Sequence, residues 1–155
     1  FTPNFAPESE YQAAFARGVR VTVDSLYPLE TWPNTFAGRE IMLRLDPGRG
    51  RGHHAYVLTA GAQSKFGISP EDLQRAADAA DAAGARVVGL HAHAGSGIRT
   101  PDAWMHTAHF LNSARGYFPD VRALDLGGGF GAGGAYEDDS DEMPCAYLAE
   151  ESCEF

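Results

Sequence analysis

Arg86-Val87-Val88-Gly89-Leu90-His91-Ala92-His93-Ala94-Gly95-Ser96 begins as an unbroken apolar run and ends in two histidines, a glycine and a hydroxyl. A run of this kind predicts a strand over residues 86–93, buried on both faces, with its chemistry at the C-terminal end. Ahead of it, Ser69 stands in cap position with Pro70 in the first turn, and Leu73, Ala76, Ala77, Ala80 and Ala83 recur at spacings of three and four before Gly84. That spacing predicts an amphipathic helix. Behind it, Thr100-Pro101 opens a second helix expected to reach about residue 115, and residues 121–126 form another strand that breaks into Gly127-Gly128-Gly129-Phe130-Gly131. Strands separated by helical connections cannot be hairpins, so the sheet is expected to be parallel and the fold class α/β.

Toward the N-terminus the pattern continues. Residues 8–17, with Pro7 in the first turn and an apolar stripe of Tyr11, Ala14 and Phe15, predict a helix closed by Gly18. Residues 19–23 predict a strand, residues 26–32 a short helical piece ended by Pro33, and residues 40–45 the next strand. The connection over residues 46–68 is rich in Gly, Arg and His, and a connection of that length is expected to overhang a site. Residues 1–4 read as the end of a strand already under way, which makes five strand regions and suggests a piece of a longer protein.

Composition excludes several classes. The chain has 155 residues, 44% of them hydrophobic, enough for one globular domain. No window approaches the roughly 20 apolar residues of a membrane helix, and the expectation is a soluble, cytoplasmic protein that binds neither membrane nor nucleic acid. The net charge of −9 is local: eight of the 21 acidic residues lie in 137–154, which has no Lys or Arg, and the remainder is nearly balanced. We therefore expect a domain over 1–131 and an acidic, divergent tail over 132–155. Cys145 and Cys153 match neither a disulfide framework nor a zinc spacing and are expected to be free thiols.

Two motifs carry chemistry. Alternation places His91 and His93 on one face of their strand and Ala92 on the other. A His-x-His pair at a strand end is a possible metal site of a barrel hydrolase, but a further acidic or histidine ligand is wanted, and the last strand offers glycine. Gly129, Gly131 and Gly134 fit a dinucleotide-binding spacing, yet an acidic run follows where a helix should start. Three glycines after a buried strand are better suited to an anion held by backbone N–H groups. Together the motifs suggest a phosphorylated aromatic cofactor lying across strand ends.

These residues resemble a known family. Phe1-Thr2-Pro3-Asn4, Val23-Asp24-Ser25-Leu26, Leu43-Arg44-Leu45-Asp46-Pro47-Gly48, Ser64-Lys65-Phe66-Gly67-Ile68, the 91–96 run and Asp125 to Gly129 occur in the order found in diaminopimelate decarboxylases, pyridoxal-phosphate enzymes with an alanine-racemase-like barrel. The resemblance implies part of a (β/α)8 barrel, about strands 3 to 7. It also implies a pyridoxal 5'-phosphate cofactor and conversion of meso-2,6-diaminopimelate to L-lysine and CO2 by a full-length homodimer. Ornithine or arginine is the alternative substrate, and the wording of the arginine-glycine loop is similar to a form fused to aspartate kinase. By the same resemblance His93 is the catalytic residue that stacks on the cofactor ring. Ser96 with Gly127, Gly128 and Gly129 would hold the phosphate, and His91 and Arg44 would line the pocket. Lys65, the only lysine in the sequence, is expected to be structural, because the family's cofactor-bonding lysine lies on the first barrel strand. The eighth-strand phosphate motif and the cysteine contributed across the dimer have no counterpart, and Ser152-Cys153-Glu154 has the wrong order for the latter. Five strands leave a barrel open, so low stability and aggregation are expected of this stretch alone.

Overall fold

The computed structural model describes residues 1–48 and 66–131. Lys65, most of the long connection, Gly134, both cysteines and the acidic segment lie outside the described residues. The framework is a parallel four-stranded sheet in the order β1 (Val21–Val23), β2 (Glu40–Arg44), β3 (Arg86–His91), β4 (Ala123–Asp125). Helix α1 (Glu8–Ala16) precedes it, α2 (Tyr27–Thr31) and α3 (Pro33–Phe36) join β1 to β2, α4 (Leu73–Ala82) precedes β3, and α5 (Asp102–Ala114) joins β3 to β4. Spatial order follows chain order without reversal. Such a sheet has no switch point of the doubly wound kind, and its ligand site is expected along the C-terminal strand ends.

The first strand region survives in one residue. The Thr22 N–H donates to the Phe1 carbonyl at 2.8 Å, and the Phe1 nitrogen donates to the Arg20 carbonyl at 2.8 Å, which is parallel-ladder bonding beyond β1.

Both faces of β1 to β3 are covered, as the apolar runs require: Val21, Val23, Ile41, Leu43 and Leu90 are all fully buried. Against them pack Tyr11 of α1, Phe36 of α3, Ala76 and Ala80 of α4 and Leu111 of α5. Tyr11 and Phe36 meet edge to face at 5.4 Å, which adds a directional contact to the burial.

Several expected boundaries move, each for a physical reason. Pro33 does not end a helix; it occupies the first position of α3, where its missing N–H costs nothing. Pro70 opens a 3-10 turn, Pro70–Asp72, before the α-helix begins at Leu73. Ser69 makes no backbone cap, because its hydroxyl donates to Asp72 Oδ2 at 3.2 Å. β3 ends at His91, two residues before the expected limit, because the chain turns there to meet the glycine run. β4 keeps three residues and is largely exposed, as an edge strand.

Candidate functional site

Each strand delivers polar residues where it ends. β1 is followed by Asp24, β2 ends in Arg44 and continues through Leu45 to Asp46, β3 ends in His91 with His93 just beyond, and β4 ends in Asp125 ahead of Gly127 to Gly129. Asp24, Arg44 and Asp46 are buried although charged. Burial of that kind is costly unless the charges face one another.

Arg44 is the centre of this group. Its guanidinium donates from Nη1 to Asn4 Oδ1 at 3.1 Å and lies 5.2 Å from the Phe66 ring centroid, a stacked arrangement that favours arginine over lysine. Burial lowers the pKa of Arg44 while Asp24 and Asp46 raise it, and burial pushes the Asp24 carboxyl above the usual carboxylate value. In register, Arg44 pairs with His91. The sheet thereby sets a fixed cation beside both imidazoles.

His91 and His93 are each held below the ordinary imidazole value. Burial is the main cause for both; Arg44 adds to it, and Asp125 opposes it. His91 Nδ1 stands 3.2 Å from Asp125 Oδ2, but the alignment is not that of a hydrogen bond, so the buried nitrogen has no hydrogen-bond partner among the described residues. Two rings kept neutral at neutral pH offer flat, uncharged faces.

The two motifs are joined by main chain. The Ala92 N–H donates to the Asp125 carbonyl at 3.0 Å, the Ile98 N–H to the Gly129 carbonyl at 2.8 Å, and the Gly131 N–H to the Ile98 carbonyl at 2.9 Å. Ile98 and Phe130 form a parallel bridge. Trp104 of α5 stacks on Phe130 with centroids 4.6 Å apart and sends its Nε1–H to the Gly128 carbonyl at 3.4 Å, clamping the run from the helix side.

The three glycines differ in what requires them. A Cβ on Gly127 would come within 2.9 Å of the Ala92 carbonyl and of His93 Nδ1, and one on Gly129 would overlap the Gly95 carbonyl. Both residues also have positive φ, 74° and 93°. The chain's own 92–95 segment lies against both, which already requires glycine there. Gly128 has nothing within 4 Å of its Cβ position. Its N–H and that of Gly129 meet no acceptor among the described residues, whereas the Gly127 N–H donates to Asp125 Oδ1 at 2.9 Å.

Of the residues singled out from sequence, Arg44, His91, His93 and Gly127 to Gly129 come together, and Ser96 lies exposed on the segment between His93 and the Ile98 bridge. Asp24, Asp46, Asp125 and Trp104 were missed as site residues. An acid after a strand looks like a solvated loop acid until register places it, and only Asp125, directly after the apolar pair of β4 and before the glycines, carried a usable signal. Among the described residues no group of three or more His, Cys, Asp or Glu could hold a metal ion.

A phosphorylated pyridine ring suits this geometry. Unsatisfied backbone N–H groups at Gly128 and Gly129 and an open side at Gly128 accept an anion, and the neutral His93 ring beside them offers a planar surface.

Comparison with known proteins agrees. The family model described as pyridoxal-dependent decarboxylase, pyridoxal binding domain, matches residues 1–153. A diaminopimelate decarboxylase from Methanothermobacter thermautotrophicus is 34% identical over 140 residues, covering 84% of this chain and 32% of that protein. A crystal structure of diaminopimelate decarboxylase superposes with a TM-score of 0.78 at 25% identity, covering 92% of this chain and 34% of the other. An arginine decarboxylase from Paramecium bursaria Chlorella virus, with a TM-score of 0.70 at 22% identity and covering 97% of this chain and 40% of its own, shares the fold. The chain spans about a third of the length of the curated relatives it matches. An unreversed parallel sheet, an imidazole pair and a glycine run joined at the strand ends thus have one explanation: the chain belongs to the pyridoxal-dependent decarboxylases, within the barrel that forms their pyridoxal binding domain.

Proposed function

We propose that this chain is part of the catalytic barrel of a decarboxylase that converts meso-2,6-diaminopimelate to L-lysine and CO2. The observation that carries the reading is the main-chain bonding of the segment after His93 to the glycine run, which sets an imidazole face beside unsatisfied N–H groups. Similarity to diaminopimelate decarboxylases over most of the chain favours that substrate over ornithine or arginine.

In this reading the Gly128 and Gly129 N–H groups and the Ser96 hydroxyl hold the cofactor's phosphate, with the Gly127 N–H fixing the shape of the run. His93 presents its ring face to the pyridine ring. His91 and Arg44 line the pocket, and burial, with the Arg44 charge adding to it, holds both imidazoles below their ordinary value. Pyridoxal phosphate, when bound, supplies an electron sink for the carbanion left as CO2 departs. Neutral imidazoles are required on the protein's side, because a protonated ring next to the pyridine would add a second cation to the pocket. We further propose that the whole protein is a homodimer in the cytoplasm. Among the described residues no helix is long and apolar enough to cross a membrane.

The test is substrate selectivity of the full-length protein carrying this chain. Release of CO2 with formation of lysine from meso-diaminopimelate, and little turnover of ornithine or arginine, is the expected result. Preferential turnover of either of the others would overturn the substrate assignment, and a protein that takes up no pyridoxal phosphate would overturn the reading as a whole.

A further inference from the structure

Asp125 reaches both motifs through its side chain. Oδ1 accepts the Gly127 N–H at 2.9 Å, and Oδ2 faces the buried His91 Nδ1 at 3.2 Å. Its own carbonyl accepts the Ala92 N–H at 3.0 Å, between the two histidines, and in register it sits opposite His91. Three contacts from one residue thus span the gap between β3 and the glycine run.

We propose that Asp125 is a positioning residue: one carboxylate oxygen holds the glycine run in its left-handed start at Gly127, and the other orients the His91 ring. The proposal rests on the reading of this site as the cofactor's, but its geometry belongs to the protein alone. A carboxylate suits the task because one oxygen can accept the Gly127 N–H while the other presents negative charge to His91. With Oδ1 committed to Gly127, the N–H groups of Gly128 and Gly129 are left without an acceptor among the described residues. The charge on Oδ2 gives the buried His91 Nδ1 a favourable neighbour that it otherwise lacks, so Nδ1 carries the ring proton and Nε2 is left as the acceptor. The groups facing His91 are Asp125 from β4, Arg44 from β2 and His93 from the same segment. Only Asp125 favours the charged imidazole.

The two contacts can be separated. Asp125→Asn keeps an oxygen for the Gly127 N–H and removes the charge opposite His91, whereas Asp125→Ala removes both. In the cofactor-free full-length protein, titration of labelled histidines by NMR, with the His91 resonance assigned through His91→Gln, should show the His91 midpoint moving down in Asp125→Asn. Fluorescence titration with pyridoxal 5'-phosphate should show Asp125→Ala weakened by about tenfold and Asp125→Asn by clearly less, the difference reporting the hydrogen bond to the glycine run. An unchanged His91 midpoint in Asp125→Asn overturns the proposal, as does cofactor binding in Asp125→Ala equal to that of the parent. Should the parent bind no pyridoxal phosphate, the functional reading fails, while the His91 midpoint still decides the role of Asp125. Should Asp125→Ala fail to fold, Asp125→Asn carries the test.

Discussion

The two ends of the same four strands are built on different principles. At the N-terminal end Glu40 binds Arg86 and Arg122, tying β2 to β3 and to the chain entering β4, and all three side chains are largely exposed. At the C-terminal end the charged residues Asp24, Arg44 and Asp46 are buried, an imidazole nitrogen has no hydrogen-bond partner among the described residues, and two glycines hold positive φ under backbone contact. Exposed ion pairs are screened, replaceable and worth little. Buried ones with unsatisfied groups are costly and persist where they serve a ligand. One end keeps the strands in order, and the other spends stability on a site.

The sharpest way to break this contrast is Gly129→Ala. A methyl group there meets the Gly95 carbonyl and forces an L residue into φ 93°, so a loss of about 3 kcal/mol or more in denaturant unfolding is expected, together with loss of cofactor binding. Gly128→Ala is its control. With open space at the Cβ position, unfolding stability should change by less than about 1 kcal/mol, and a fall in pyridoxal-phosphate affinity without that cost would mark the open side as the ligand's side. Stability equal to the parent in Gly129→Ala would refute the close approach.

His93→Ala comes next. Loss of a planar partner for the cofactor ring should weaken pyridoxal-phosphate binding by about tenfold, read by absorbance titration, with the unfolding midpoint little changed. If the midpoint collapses instead, His93 is a core residue and the site assignment needs revision.

Proton linkage gives a subtler test. Both histidines are held below their ordinary 6.5, so just below that pH the unfolded chain binds protons that the folded chain refuses. Stability is therefore present above about 6.5 and declines as the pH falls toward the folded values. Asp24, raised above its ordinary 3.8 by burial, acts in the opposite sense. Comparing the parent with the His91→Gln, His93→Gln double variant in thermal unfolding from pH 7 downward isolates the histidine part, which should vanish in the variant. The smallest effect is expected at the opposite end of the sheet. Arg86 and Arg122 hold the exposed Glu40 carboxyl below the usual carboxylate range. Glu40→Gln should therefore give a slight, salt-sensitive loss of stability and leave cofactor binding untouched.

Much of this architecture was legible in the sequence. The Leu73, Ala76, Ala80 spacing marked α4, and the apolar runs marked β2 and β3, because burial on a helix stripe or on two sheet faces leaves a direct imprint on residue order. Proline was harder to read. Pro33 has the same form whether it ends one helix or begins the next, and here it begins the turn that carries Phe36 into the core. The site was half legible: His91, His93 and the glycines announce themselves, but the reason for Gly127 and Gly129 lies in segment 92–95, brought there by sheet register. Asp24 and Asp46 resemble any loop acid until Arg44 is seen between them.

The ladder at the end of β2 has a consequence of its own. Leu45 and Ile68 form a parallel bridge, with the Ile68 N–H donating to the Arg44 carbonyl and the Asp46 N–H to the Ile68 carbonyl, both at 2.9 Å. The excursion between them departs and returns at one gateway, fastened shut by two backbone bonds. Doubling the length of a flexible connection closed in this way costs only about 0.6 kcal/mol in closure entropy. A connection of another length could therefore begin and end at the same two bonds at little entropic cost, with the doorposts left where they are.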